Sequence, residues 1–155
     1  MPGLFNPQHH RVAFLLFAAA LIAFTSVDAS AQAQWTFMVY LDADNDLEDY
    51  GIADFLEMAS VGSSTDVNIV VLFDRAAGYD STYGNWTDTR RGLIHTGDEP
   101  YVTWGESVGE MNMGDPQTLT DFIEWGATTY PASNYALVLW NHGDGWTKSF
   151  QEDIT

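Results

Sequence analysis

The sequence has 155 residues, 46% of them apolar, with six Trp, seven Tyr and nine Phe, which suits one domain with a real core and excludes wholesale disorder. A formal net charge of −17 excludes a nucleic-acid or anionic-lipid surface and favours cations and basic peptides. There is no cysteine, so disulfides, thiolate metal sites and a self-sufficient cysteine enzyme are all excluded.

Residues 1–31 read as a signal peptide. Arg11, with His9 and His10 before it, gives a weakly basic start. The apolar run from Val12 to Phe24 is shorter than the roughly 20 residues that cross a bilayer, which argues against an uncleaved anchor. Ala29-Ser30-Ala31 offers the small residues that cleavage needs. The remainder, residues 32–155, is expected outside the cytoplasm, secreted or periplasmic, with no membrane attachment once the leader is removed. Losing Arg11 and Asp28 together leaves its charge at −17.

Trp35 to Leu41 is nearly all apolar and predicts a strand buried on both faces of a parallel sheet. It runs into an acidic turn, Asp42 to Asp46. Leu47, Tyr50, Ile52, Phe55, Leu56 and Met58 then recur at roughly helical spacing through Ser60. Asp44 or Asp46 is a candidate cap for that helix, and Gly51 weakens it. Val67 to Phe73 predicts a second buried strand. A turn-rich stretch follows from Ala76 to Thr89, then a short strand over Arg91 to His95. Thr96 to Gly109 fits a hairpin or a loop. Asp115-Pro116 marks a helix start, with Asp as cap and Pro at the first position, and Pro131 stops that helix. Tyr135 to Trp140 predicts a last buried strand.

This order of strands and helices is that of an α/β fold with a mainly parallel sheet and flanking crossover helices. Ligands in such sheets bind beyond the carboxyl ends of the strands. Two polar clusters fall there, Asp42 to Asp46 and Asn141 to Trp146. His142 sits two residues past a strand, where an imidazole can face a cleft and exchange protons near neutral pH. Gly143 follows it, and a backbone N–H without a side chain beside it can approach a reacting carbonyl oxygen. Read from the residues alone, a lone loop histidine is more often structural than catalytic.

Asp42, Asp44 and Asp46 alternate like the first ligands of a calcium loop. Leu47 stands where such a loop needs glycine, which argues against an EF-hand. A looser calcium site competes with plain capping and solvation of the turn. Asn85-Trp86-Thr87 matches a glycosylation acceptor, and Arg90-Arg91 is expected to pair with nearby carboxylates.

Three segments carry a resemblance: Trp35 to Glu48, Met113 to Leu119 with Phe122 and Trp125, and Leu137 to Trp146. Together they resemble the first part of the caspase-like domain of the clostripain family of cysteine peptidases. That family often has Asn where Asp46 stands and Gly where Asp144 stands. The resemblance implies a caspase-like fold, incomplete on its C-terminal side, with residues 32–155 as the N-terminal part of the peptidase domain. It implies that His142 is the catalytic base and that Gly143 supplies an oxyanion N–H. It also implies a cysteine at the end of a further strand, in an Asp-Ala-Cys type motif beyond Thr155. The substrate is then a peptide or protein with Arg or Lys before the scissile bond. No cofactor is required for such chemistry, though some relatives depend on calcium.

The expectation is therefore a secreted cysteine endopeptidase with a His-Cys dyad, present here as a fragment without its nucleophile and inactive by itself. A missing C-terminal segment carrying the cysteine is the partner it needs. The retained leader favours a truncated sequence over a processed piece. Lys148-Ser149 lies where a relative that cuts itself after basic residues would do so, although an ordinary surface lysine is the simpler reading. The rivals are a non-catalytic secreted module with the same sheet edge and an acidic calcium-responsive surface protein.

Overall fold

The computed structural model describes residues 32–143. The leader, the end of the histidine motif from Asp144 to Trp146, and Lys148-Ser149 lie outside the described residues. Five strands and two helices are described: β1 (Ala33–Ala43), α1 (Glu48–Val61), β2 (Val67–Arg75), β3 (Thr89–Leu93), β4 (Glu106–Gly109), α2 (Pro116–Thr129) and β5 (Ala132–Trp140). They form one sheet in the order β4-β3-β2-β1-β5. β1 runs parallel to both β2 and β5, whereas β3 and β4 are added antiparallel. The stretch after His95 is a loop through residues 96–105, and only Glu106–Gly109 returns as a strand beside β3, so both alternatives that its sequence allows are present.

Successive side chains of β1 point to opposite faces, which builds two cores. Val39 and Leu41 face α1, where Phe55, Phe73, Trp86 and Trp104 close a layer of aromatic edges and faces. Met38 and Tyr40 face α2 and pack with Val70, Leu72, Met113 and Phe122. The Tyr40 hydroxyl donates to the Met113 carbonyl at 2.9 Å, so the polar tip of this buried ring is satisfied. Gly51, which weakens α1 as an isolated helix, has a packing reason: a Cβ there would stand 2.8 Å from that of Ala43. The helix lies close against β1 because this residue has no side chain.

The start of α2 follows its sequence signal. Asp115 is the N-cap, its carboxylate accepts from Gln117 N at 2.8 Å, and Pro116 opens the helix. At α1 neither Asp44 nor Asp46 caps. Leu47 holds the cap position without a side-chain bond, and Asn45 Oδ1 takes the Leu47 N–H at 2.9 Å. Asp46 has a tertiary partner in His142 instead, and Asp44 lies beside Asp74 and Glu110.

β5 departs from expectation. Its apolar sequence predicts burial on both faces, yet Tyr135, Leu137, Val138 and Leu139 are each 42–45% exposed. The strand lies at the sheet edge, and among the described residues helix cover reaches it at Trp140, which packs against Gly51 and Asp54 of α1. An apolar pattern reports that a strand needs cover, not that this chain supplies it.

Candidate active site

The parallel pairing of β1 with β5 sets Leu41 opposite Trp140, so Asp42 near the end of β1 and Asn141 just past β5 lie side by side. Asp42 is buried, and its Oδ2 accepts from Asn141 Nδ2 at 2.5 Å. Asn141 Oδ1 in turn accepts the backbone N–H of His142 at 2.5 Å. Across the same gap, Trp140 Nε1 donates to Asp54 Oδ2 of α1 at 2.6 Å. The backbone leading to the histidine is thereby tied to β1 and to α1 before the side chain of His142 makes any contact.

The side chain of His142 is about one-third exposed and belongs to neither core. Its Nε2 lies 2.7 Å from Asp46 Oδ1. Asp46 is held in place by its own turn. Asn45 Nδ2 donates to the Asp42 carbonyl at 3.2 Å, while its Oδ1 accepts from Leu47 N. Gly143 adopts φ +61°, in the left-handed region that glycine enters without steric cost, and it is exposed.

The three alternating aspartates therefore do not converge. Asp42 holds Asn141, Asp46 holds the His142 ring, and Asp44 turns toward a different set. Among the described residues, one group of three carboxylates is close enough to share a cation: Asp44, Asp74 and Glu110, with one oxygen of each within 4.8 Å of the others. Asp74 follows Phe73 on β2 and accepts from Thr89 Oγ1 at 2.9 Å. A calcium ion at Asp42, Asp44 and Asp46 would have to displace two of the hydrogen bonds that orient the histidine segment. Three carboxylates supply only part of the six to eight oxygens calcium takes.

Arg90 and Arg91 find the carboxylates expected of them, Asp88 at 3.4 Å and Glu106 at 3.3 Å. Asn85 is exposed and accepts from Gly78 N, whereas Trp86 is buried, with Nε1 donating to the Pro100 carbonyl at 2.8 Å.

A mixed five-stranded sheet with a helix packed on each face is the α/β, caspase-like fold that this chain shares with C11 cysteine proteases. The clostripain family model matches residues 39–154, and the chain belongs to that family. Clostripain of Hathewaya histolytica is 34% identical over 124 residues, an alignment covering 71% of this chain and 23% of that protein. The chain thus spans about a quarter of its curated relative. A B. fragilis cysteine protease superposes with a TM-score of 0.56 at 25% identity, covering 73% of this chain and 92% of that one. A secreted C11 cysteine protease of Bacteroides thetaiotaomicron, solved with an irreversible peptide inhibitor, agrees in fold with a TM-score of 0.55 at 22% identity, covering 74% of this chain and 31% of that one. Among the described residues, no helix is long and apolar enough to cross a membrane.

Proposed function

We propose that this chain is the histidine-bearing part of an extracytoplasmic cysteine endopeptidase that cleaves after Arg or Lys. The observation that carries the reading is His142, exposed at the sheet edge, with its backbone fixed through Asn141 and its ring fixed through Asp46. In this reading the imidazole takes the proton of a cysteine thiol, the thiolate attacks the peptide carbonyl, and an acyl-enzyme forms. The Gly143 N–H stabilises the oxyanion. The cysteine comes from polypeptide outside this sequence, since none of the 155 residues is one. Residues 1–31 serve as the leader, and the net charge of −17 favours basic substrates.

The test pairs this chain, alone and co-expressed with the thiol-bearing segment, against fluorogenic peptides carrying Arg, Lys or Leu before the reporter. The chain alone is expected to be inert, while the pair cleaves the Arg and Lys peptides and is silenced by iodoacetamide. Absence of any thiol-bearing segment from the intact gene, or cleavage that survives alkylation, sinks the reading.

The chemistry needs no cofactor. Calcium keeps a structural role only, at the acidic turn, where Asp44 rather than Asp42 or Asp46 has further carboxylates beside it. Titration calorimetry with calcium is expected to give heat under this view, and a flat trace removes calcium from it.

A further inference from the structure

We propose that Asp46 is a positioning residue: it accepts the Nε2–H of His142 and so leaves Nδ1 as the ring nitrogen that takes the thiol proton. The inference rests on the reading of His142 as the base and adds which nitrogen acts and what selects it. A neutral imidazole carries one N–H and one lone pair, and the partner of one nitrogen decides the role of the other. A carboxylate is acceptor-only when ionised. At 2.7 Å from Asp46 Oδ1, Nε2 is assigned as the protonated nitrogen, the tautomer that makes this contact a hydrogen bond to an ionised carboxylate.

Two features separate this contact from an ordinary surface pair. The backbone of the same histidine is clamped independently by Asn141, which is itself held by buried Asp42. Asp42, through Asn141, and Asp46 thus fix one residue at two points, backbone and ring, from the end of β1 and the turn that follows it. The second feature is the carboxylate's setting. Asp46 is two-thirds exposed and gives α1 no cap, so it serves neither the core nor the helix. Exposed ion pairs contribute little to stability, and the consequence of this one is orientation.

The proton balance is complete. The thiol S–H bond breaks, its proton forms the Nδ1–H bond, and the thiolate keeps the electron pair. The resulting imidazolium holds N–H on both nitrogens, with the Nε2–H still donated to Asp46. The Nδ1 proton then passes to the amine that leaves when the peptide bond breaks, and the ring returns to its starting tautomer.

The test reads the tautomer directly by long-range proton–nitrogen correlation on the ¹⁵N-histidine-labelled chain, with His142 assigned from a His142→Gln variant. The wild type is expected to hold His142 almost wholly as the Nε2–H tautomer, with a slowly exchanging ring proton. Asp46→Ala is expected to return it to the mixture seen in a free histidine peptide. Asp46→Asn keeps an acceptor oxygen and is expected to preserve the wild-type pattern. In the thiol-completed protein, Asp46→Ala should lower kcat about tenfold or more with KM unchanged, and Asp46→Asn should recover most of it. A wild-type spectrum equal to the free peptide, or one unmoved by Asp46→Ala, overturns the proposal. Spectra that behave as expected in a completed protein that cleaves nothing leave the positioning intact and remove the peptidase reading. Cleavage without the tautomer change does the reverse.

Discussion

His142→Ala should abolish nearly all peptide cleavage by the completed enzyme, with kcat/KM falling by at least 10²- to 10⁴-fold, the range general acid–base catalysis contributes. Two losses combine. A free cysteine has a pKa near 8.5, so without a base only a few per cent of the thiol is thiolate at neutral pH. The departing amine also loses its proton donor and must leave as an anion. Neither loss involves the fold, because the ring lies at the surface and touches no core residue. Circular dichroism and the melting temperature of His142→Ala should therefore match the wild type. Activity within tenfold of wild type on an Arg peptide would remove the imidazole from the mechanism.

Much of this fold is legible in the sequence, and the limits have physical causes. β1, β2 and α2 announce themselves because their signals are local: apolar runs for the strands, and Asp115-Pro116 before the helix. The position of His142 at a strand end was equally local. Its partners were not. Asp46 is separated from His142 by 96 positions and Asp42 from Asn141 by 99, and only the parallel pairing of β1 with β5 brings them together. An aspartate just ahead of a helix reads as a cap, which is the commoner use of that residue there. The tertiary hydrogen bond to the ring overrides that preference. One signal was available: two polar clusters each following a strand of one parallel sheet must share its carboxyl edge. The exposure of β5 was invisible for the opposite reason. Sequence encodes an appetite for burial and says nothing about whether the covering layer lies in the same stretch of chain.

The pairing that escaped sequence reading altogether is Glu48 with Arg75, and its removal should be the most damaging change to stability. Both side chains are completely buried, and Arg75 Nε meets Glu48 Oε1 at 2.6 Å. The remaining guanidinium nitrogens donate to the carbonyls of Gly84 at 3.1 Å and Asp80 at 3.0 Å, and the group lies 4.7 Å over the Trp86 ring. Glu48 Oε2 accepts from Asp80 N at 2.7 Å. Asp80 is then turned outward, and hydrogen bonds from the Thr82 hydroxyl and then the Thr82 N–H hold its carboxyl below the ordinary aspartate range. One ion pair thus fastens the long loop after β2 to the first turn of α1.

Arg75→Ala strands a carboxylate in the core and leaves the loop carbonyls of Gly84, Asp80 and Thr82 without their donor. A cost of about 3–5 kcal/mol is expected, against roughly 5–15 kcal/mol for a whole domain, read as a lowered midpoint in urea denaturation. The double variant Glu48→Leu with Arg75→Met removes the stranded charge, so it should be more stable than Arg75→Ala despite carrying two changes. It should not restore the loop, whose carbonyls still lack a donor, and limited proteolysis should cut between residues 76 and 88 in both variants. Glu48 is two positions from Asp46, so the same loosening should reach the His142 ring and lower kcat in the completed enzyme even where the domain stays folded. A cost below about 1 kcal/mol for Arg75→Ala would mean that water reaches this pair and that the loop is held by Trp86 alone.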